Sequence, residues 1–229
     1  QVSGGSLIAE SGALGSTSGI TVNGANLSAV NYNGAAGLTV DSTGFATISG
    51  TGLSLGLVSN ANTTSNAVNF SGATGTITLA GLSGAGSTRF GSDASIGGGI
   101  SSGNVSVVGL LTSDIFGGVV GANALTAGTV SGGVTNVAAA GSVGVVSGGL
   151  LGIGATAALT TVSGGSTTVV GAAAVTTFGG GTLNLSANST IAALNGGLLN
   201  IGNGAVVSVD GGVDAGVISG GGGWSKVSD

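Results

Sequence analysis

The sequence predicts an all-β fold, a parallel β-solenoid with a period of about sixteen and three short strands per turn. Three observations carry that prediction. Between positions 130 and 207 the chain repeats at a constant interval of 16: Val130-Ser-Gly-Gly, Val146-Ser-Gly-Gly, Val162-Ser-Gly-Gly, Phe178-Gly-Gly-Gly and Leu194-Asn-Gly-Gly. Aligned on that anchor, a second column seven positions later holds Val137, Ile153, Val169, Leu185 and Ile201. A third, thirteen positions after the anchor, holds Val143, Leu159, Val175, Ile191 and Val207. A fixed period with three apolar columns is the pattern of a coil that stacks on itself.

A period of sixteen is too short for a helix pair, since helical repeats need ~33 residues or more. The columns favour β-branched Val and Ile, and Thr pairs at 160–161, 167–168 and 176–177 surround them. Leu183-Asn-Leu and Leu199-Asn-Ile alternate apolar and polar, as a strand with one buried face does. The Gly-Gly pair marks a bend, because Gly tolerates positive φ. Each strand is expected to pair in parallel with its copy one turn on, ~4.8 Å away.

Taken in order, Val2-Ser-Gly-Gly-Ser-Leu-Ile-Ala opens a first turn in the manner of Val146-Ser-Gly-Gly-Leu-Leu-Gly-Ile. Further turns are expected to start at Ile20, Leu38 and Ala67, at spacings of 18 and 29, the longer containing either an insertion or two short turns. Residues 59–66 read as a polar surface loop, and 81–99, with Gly-Ser-Thr-Arg89-Phe90-Gly-Ser-Asp93, as another. Regularity returns at Ile100, with Val105 and Val107 on template; Phe116 follows as an anchor after 16, Val130 after 14, and Val209 after Leu194 at 15. With no linker in view, 1–229 is expected to form a single β-solenoid domain: irregular turns over 2–99, regular ones over 100–209 and an open end at 210–229.

Composition narrows the function. The chain of 229 residues has 52 Gly, no Pro, 4% charged residues, a net charge of −5 and 41% hydrophobic residues, a balance that argues against disorder. Without Pro or a Gly-X-Y period it is not collagen-like. Gln1-Val-Ser-Gly-Gly lacks the features of a signal peptide, and no long unbroken apolar run marks a transmembrane helix, so membrane insertion is not expected. Two basic residues, Arg89 and Lys226, make no surface for nucleic acid.

With neither His nor Cys, the usual nucleophile–base pairs and imidazole or thiolate metal sites are absent. The seven acids are Glu10, Asp41, Asp93, Asp114, Asp210, Asp214 and Asp229, of which only Asp210 and Asp214 are sequence neighbours. Two carboxylates suffice in principle for glycoside hydrolysis. A solvated turn beside Gly211-Gly212 is the favoured reading, and whether the pair holds a calcium ion stays open at this level. No catalytic, cofactor-binding or metal-binding residue is therefore expected, and no enzyme. The Thr pairs read as outward strand residues, the Asn-x-Ser/Thr triplets as chance, and Tyr32 and Trp224 as too isolated to stack on a carbohydrate.

Residues 210–229 resemble the passenger repeats of bacterial autotransporters, in which an Ile-Ser-Gly-Gly turn such as that at Ile218 leads to a Lys-containing strand such as that at Lys226. Thr182-Leu-Asn-Leu-Ser and Val2-Ser-Gly-Gly-Ser-Leu are similar in vocabulary. The resemblance implies a right-handed parallel β-helix, secretion to the cell surface, and adhesive or scaffolding roles. The family's translocator barrel has no counterpart here, so a processed passenger fragment or free-standing relative is expected. Two functions follow as expectations. One is an extracellular structural protein, a subunit of a bacterial surface filament, fibre or matrix that self-assembles, motivated by uncapped strand edges and few charges. The other is an adhesin fragment gripping a host or neighbouring-cell ligand, glycans included, through loops in 41–99.

Overall fold

The computed structural model describes residues 1–10, 14, 19–213 and 216–227, with only the backbone of Gly212 and Val213. These residues form strands and turns and no helix. They belong to two compact units, Gln1–Ala122 and Asn123–Asp229, each a parallel β-solenoid.

In the second unit the period of sixteen is the pitch of the coil. Val134–Val137 pairs with Leu150–Ile153, then Ser166–Val169, Thr182–Leu185 and Leu198–Ile201, with Val137, Ile153, Val169, Leu185 and Ile201 in one register column. All fifteen positions of the three expected apolar columns are buried. Each regular turn carries two strands, a shorter and a longer, as in Leu150–Ile153 and Ala157–Val162. The longer strand changes inward parity, Leu159 and Val162 both being buried with Thr160 and Thr161 outside. It therefore bends and serves two of the three columns, and the third strand expected in each turn is the end of the second.

The Gly-Gly corners are fixed by backbone geometry. The second Gly of each pair is left-handed, with φ of 72°, 73°, 69°, 79° and 85° at Gly133, Gly149, Gly165, Gly181 and Gly197. Each of these carbonyls accepts a 2.9 Å hydrogen bond from the amide of Leu150, Ser166, Thr182, Leu198 or Val217 one turn on. Two more buried columns complete the interior. Thr135, Leu151, Thr167, Leu183 and Leu199 form one, and Gly141, Ala157, Ala173, Ser189 and Val207 the other. Where the second column has only Gly141, the Ile153 side chain fills the space a Cβ would need.

The strict period ends at Ile201. Ser189 pairs with Val207 and Ile191 with Val209, a spacing of 18 produced by the Gly202-Asn203-Gly204 turn. Val207 thus leaves the third column expected for it, and Val209 occupies that column instead of the anchor. The anchor position opposite Leu194 falls at Val213, after a further register shift.

In the first unit the same logic runs with unequal turns. Ile20 lies opposite Leu38, the spacing of 18 expected from the sequence; Leu38 then pairs with Val58, Val58 with Leu82, Leu82 with Ile100 and Ile100 with Ile115. Ala67 does not start the next turn. Its neighbour Val68 belongs to a separate ladder, Leu7–Leu27–Ala46–Val68–Thr88–Val105. Ile115, not Phe116, holds the column after Ile100, and Phe116 is 47% exposed, its ring lying over Gly99. The step is 15 because the register shifts by two within this ladder: Ile96 lies opposite Ser113 at a step of 17, and the three glycines before Ile100 face the single residue Asp114.

Both expected loops are corrected. Residues 81–99 are strands, Ser87–Phe90 and Ala94–Ile100, with Phe90 buried and stacked on Phe70 at 5.1 Å and 7°. Within 59–66, Ser59 and Asn60 end a strand, and Asn60 and Asn62 are buried. Asn60 Nδ2 donates to Ser87 O at 2.8 Å, and Asn62 Nδ2 to Gly44 O at 2.7 Å. Asn60 Oδ1 accepts from the Asn62 amide, and Asn62 Oδ1 from the Thr64 amide. A polar side chain is held inside because its hydrogen bonds are complete. Only residues 63–66 of this segment form an exposed turn.

Candidate functional site

The described acidic residues gather into no group of three. Asp41 closes a turn: its Oδ1 accepts from the amides of Gly44 at 2.6 Å, Thr43 at 3.0 Å and Gly24 at 3.2 Å. The bond from the Thr43 amide, then that from Gly24, holds its pKa below the ordinary 3.8. Asp93 accepts from the Leu110 amide at 2.8 Å, bracing one turn against the next. Asp210 is exposed near the end of Val206–Val213, while Asp214 and Asp229 lie outside the described residues. The expected Asp210/Asp214 pairing has therefore no described geometry. Among the described residues no three His, Cys, Asp or Glu side chains gather into a metal-sized group.

Neither aromatic singled out from the sequence forms a platform. Tyr32 is buried, its hydroxyl donating to Gly37 O at 3.1 Å with Gly34 wrapped against the ring. Trp224 is 47% exposed, in register with Val207.

The extended surface feature is one outward face of the second unit. Thr126, Ser142, Ala158, Ala174, Thr190, Ser208 and Ser225 stand in one register column, one per turn. Beside it run Gly144, Thr160, Thr176 and Ala192, the last three exposed as the outward reading of the Thr pairs requires. These side chains are neutral and no larger than Thr. At ~4.8 Å per turn they make a flat ladder of methyls and hydroxyls. Shallow open grooves cross it, lined by Ala174, Thr190 and Ser208, with Asp210 at one margin. On another face, Asn200 Nδ2 donates to Asn184 Oδ1 at 2.8 Å and Asn184 Nδ2 to Thr168 Oγ1 at 3.1 Å, and the Ser219 hydroxyl bonds to Asn200 Oδ1. The sequence reading missed the neutral column because Ser, Ala and Thr alternate in it without an obvious motif. A search at period 16 over small side chains finds it from Thr126 to Thr190, and the longer step of 18 carries it to Ser208.

Comparison with protein-family models, curated proteins and solved structures gives no match for the chain.

Proposed function

We propose that this chain is an extracellular structural protein, a subunit of a bacterial surface filament, fibre or matrix built by side-to-side packing of β-solenoid units. The observation that carries the reading is the neutral Thr126-to-Ser225 column. Small side chains let backbones approach closely. The column itself carries no charge, Asp210 standing only at its margin, so it meets little repulsion from its own copy and packing depends little on salt. The chain-wide charge content of 4% extends the same property to other faces. Secretion to the bacterial surface is the setting the autotransporter resemblance supports.

Electron microscopy and sedimentation of the purified chain test the proposal, with a variant carrying Ala158→Glu and Ala174→Arg. Both substitutions sit on outward positions and leave the interior columns intact. Fibres or large assemblies of the unaltered chain, lost in a variant of unchanged circular dichroism, are the expected result. A chain that sediments as a monomer at every concentration sinks the idea.

A second reading, an adhesin fragment binding a cell-surface or glycan ligand through 41–99, draws on the exposed turn at 63–66. The adjoining Asn62 bonds to Gly44, which places that turn near the partly exposed Phe45. Deleting 59–66 is no test, since it removes buried Asn60 and Asn62. Thr63→Lys with Ser65→Lys alters only exposed side chains; loss of cell binding with assembly intact favours the adhesin.

A further inference from the structure

Four Asn-Gly pairs occur in the chain, at Asn23, Asn33, Asn195 and Asn203. In such a pair the Gly amide nitrogen has no neighbouring side chain to shield it and can attack the Asn Cγ. The new N–C bond closes a five-membered imide as the C–N bond to the side-chain amide breaks and ammonia leaves. Water then opens the ring at either carbonyl, giving Asp or isoaspartate. The reaction needs only water and a loop free to bring the two groups together.

Three of the four pairs are obstructed. The Gly24 amide is engaged with Asp41 Oδ1 at 3.2 Å. Asn33 Oδ1 accepts from the Ser54 amide at 2.7 Å, and Gly34 is buried against the Tyr32 ring. Gly196 is buried. At Asn203-Gly204 both residues are exposed, Gly204 has φ +79°, and no hydrogen bond occupies its amide. This pair also forms the centre of the turn that lengthens the period of sixteen, outside the strand ladders and closed by the Ala205 amide donating to Gly202 O at 3.1 Å, which leaves the Gly204 amide unengaged.

We infer that Asn203 is a spontaneous modification site of this protein, converting to aspartate and isoaspartate while the chain is folded. The product bears directly on the next turn: Asn203 Oδ1 occupies the space a Cβ at Gly221 would take, so a carboxylate arises against that backbone. Isoaspartate also routes the main chain through Cβ, lengthening the turn before Val206–Val213.

The test is peptide mapping by mass spectrometry of the intact folded chain, aged in mildly acidic and mildly alkaline buffer, beside the same chain in urea. In the folded chain Asn203 is expected to lose its amide several-fold faster than Asn23, Asn33 and Asn195, and faster at alkaline pH. In urea the four rates are expected to converge. Equal rates at the four sites of the folded chain, or an Asn203 slower than the rest, overturn the inference. Asn203→Ser supplies a second check: the acidic species that grows with age on isoelectric focusing disappears in the variant, and its persistence is likewise contrary.

Discussion

Replacing Thr167 with Val is expected to stabilise the protein. Thr167 is fully buried, and its hydroxyl has no hydrogen-bond partner. The reason lies in the column it occupies. Leu151 stands opposite Thr167 on one side and Leu183 on the other, both buried. Stacked threonines can share hydrogen bonds along a ladder; here each Thr is isolated by a Leu one turn away. A hydroxyl buried without a partner costs about 1–3 kcal/mol, and replacing it by a methyl of the same shape removes that cost without opening a cavity. The expected gain is therefore about 1.5 kcal/mol, toward the lower end of that range. With a urea slope of about 3 kcal/mol per M, the midpoint moves up by about 0.5 M.

Thr135 repeats the situation two turns earlier, with the same burial and an equally unpartnered hydroxyl. At ~4.8 Å per turn the two sites are ~10 Å apart, with Leu151 between them as a shared neighbour, so their gains have the same sign without strict additivity. The double variant Thr135→Val, Thr167→Val should accordingly shift the midpoint further than Thr167→Val alone. Thr160→Val, on the exposed face, is the control and stays within about 0.5 kcal/mol. Urea unfolding followed by circular dichroism reads all four proteins. A Thr167→Val chain less stable than its parent refutes the reasoning, because it means the hydroxyl has a partner whose loss outweighs desolvation.

Three other outcomes follow from the same structure. Gly165→Ala places a Cβ 2.5 Å from Gly149 O at a residue with φ +69°, so backbone clash and strain together should cost at least about 2 kcal/mol in urea unfolding, whereas Ser166→Ala next to it costs little. Phe90→Ala removes a buried ring stacked on Phe70 and should cost about 3–5 kcal/mol, read from the thermal transition of the purified variant. Asp41 has a folded pKa below its ordinary value, so the support it gives its turn is complete above pH 3.8 and fades as pH falls through the lower folded value. Acid titration should therefore loosen the Asp41 turn, seen as faster amide exchange at Thr43 and Gly44, and Asp41→Asn should flatten that dependence.

What could be read from the sequence was whatever large apolar side chains repeat at a fixed spacing. Val146, Ile153 and Leu159 announce their columns because nothing else in a chain of Gly, Ala, Ser and Thr looks like them. The column of Thr135, Leu151 and Thr167 is equally buried, yet its alternation of polar and apolar types hides it. The column of Gly141, Ala157 and Ala173 is hidden because small residues also populate turns. The first unit misled for a related reason. Asn60 and Asn62 look like loop residues, and their burial depends on partners far along the chain, at Ser87 and Gly44. Phe90, between Arg89 and Gly91, gains its core position by meeting Phe70 in the neighbouring turn. Such partners are brought together by the coil, and no local window contains them. The outward column was obscure because its residues share smallness rather than type.

Insertions show why the interior says so little about function. In the first unit the successive turns along one ladder differ in length, yet Ile20, Leu38, Val58, Leu82, Ile100 and Ile115 keep a single column. Extra residues are taken up between ladders or as register shifts inside one, as between Leu79 and Leu82, while the inward column is kept. The interior therefore constrains inward positions and left-handed corner glycines, and leaves outward positions and corner lengths free to vary. A coil needs only moderately polar outward residues to stay folded and soluble. One outward column nevertheless stays Thr, Ser and Ala through the longer step between Thr190 and Ser208, where the inward register moves by the same amount. That continuity is the ground on which the face, rather than the interior or the described carboxylates, is proposed for assembly.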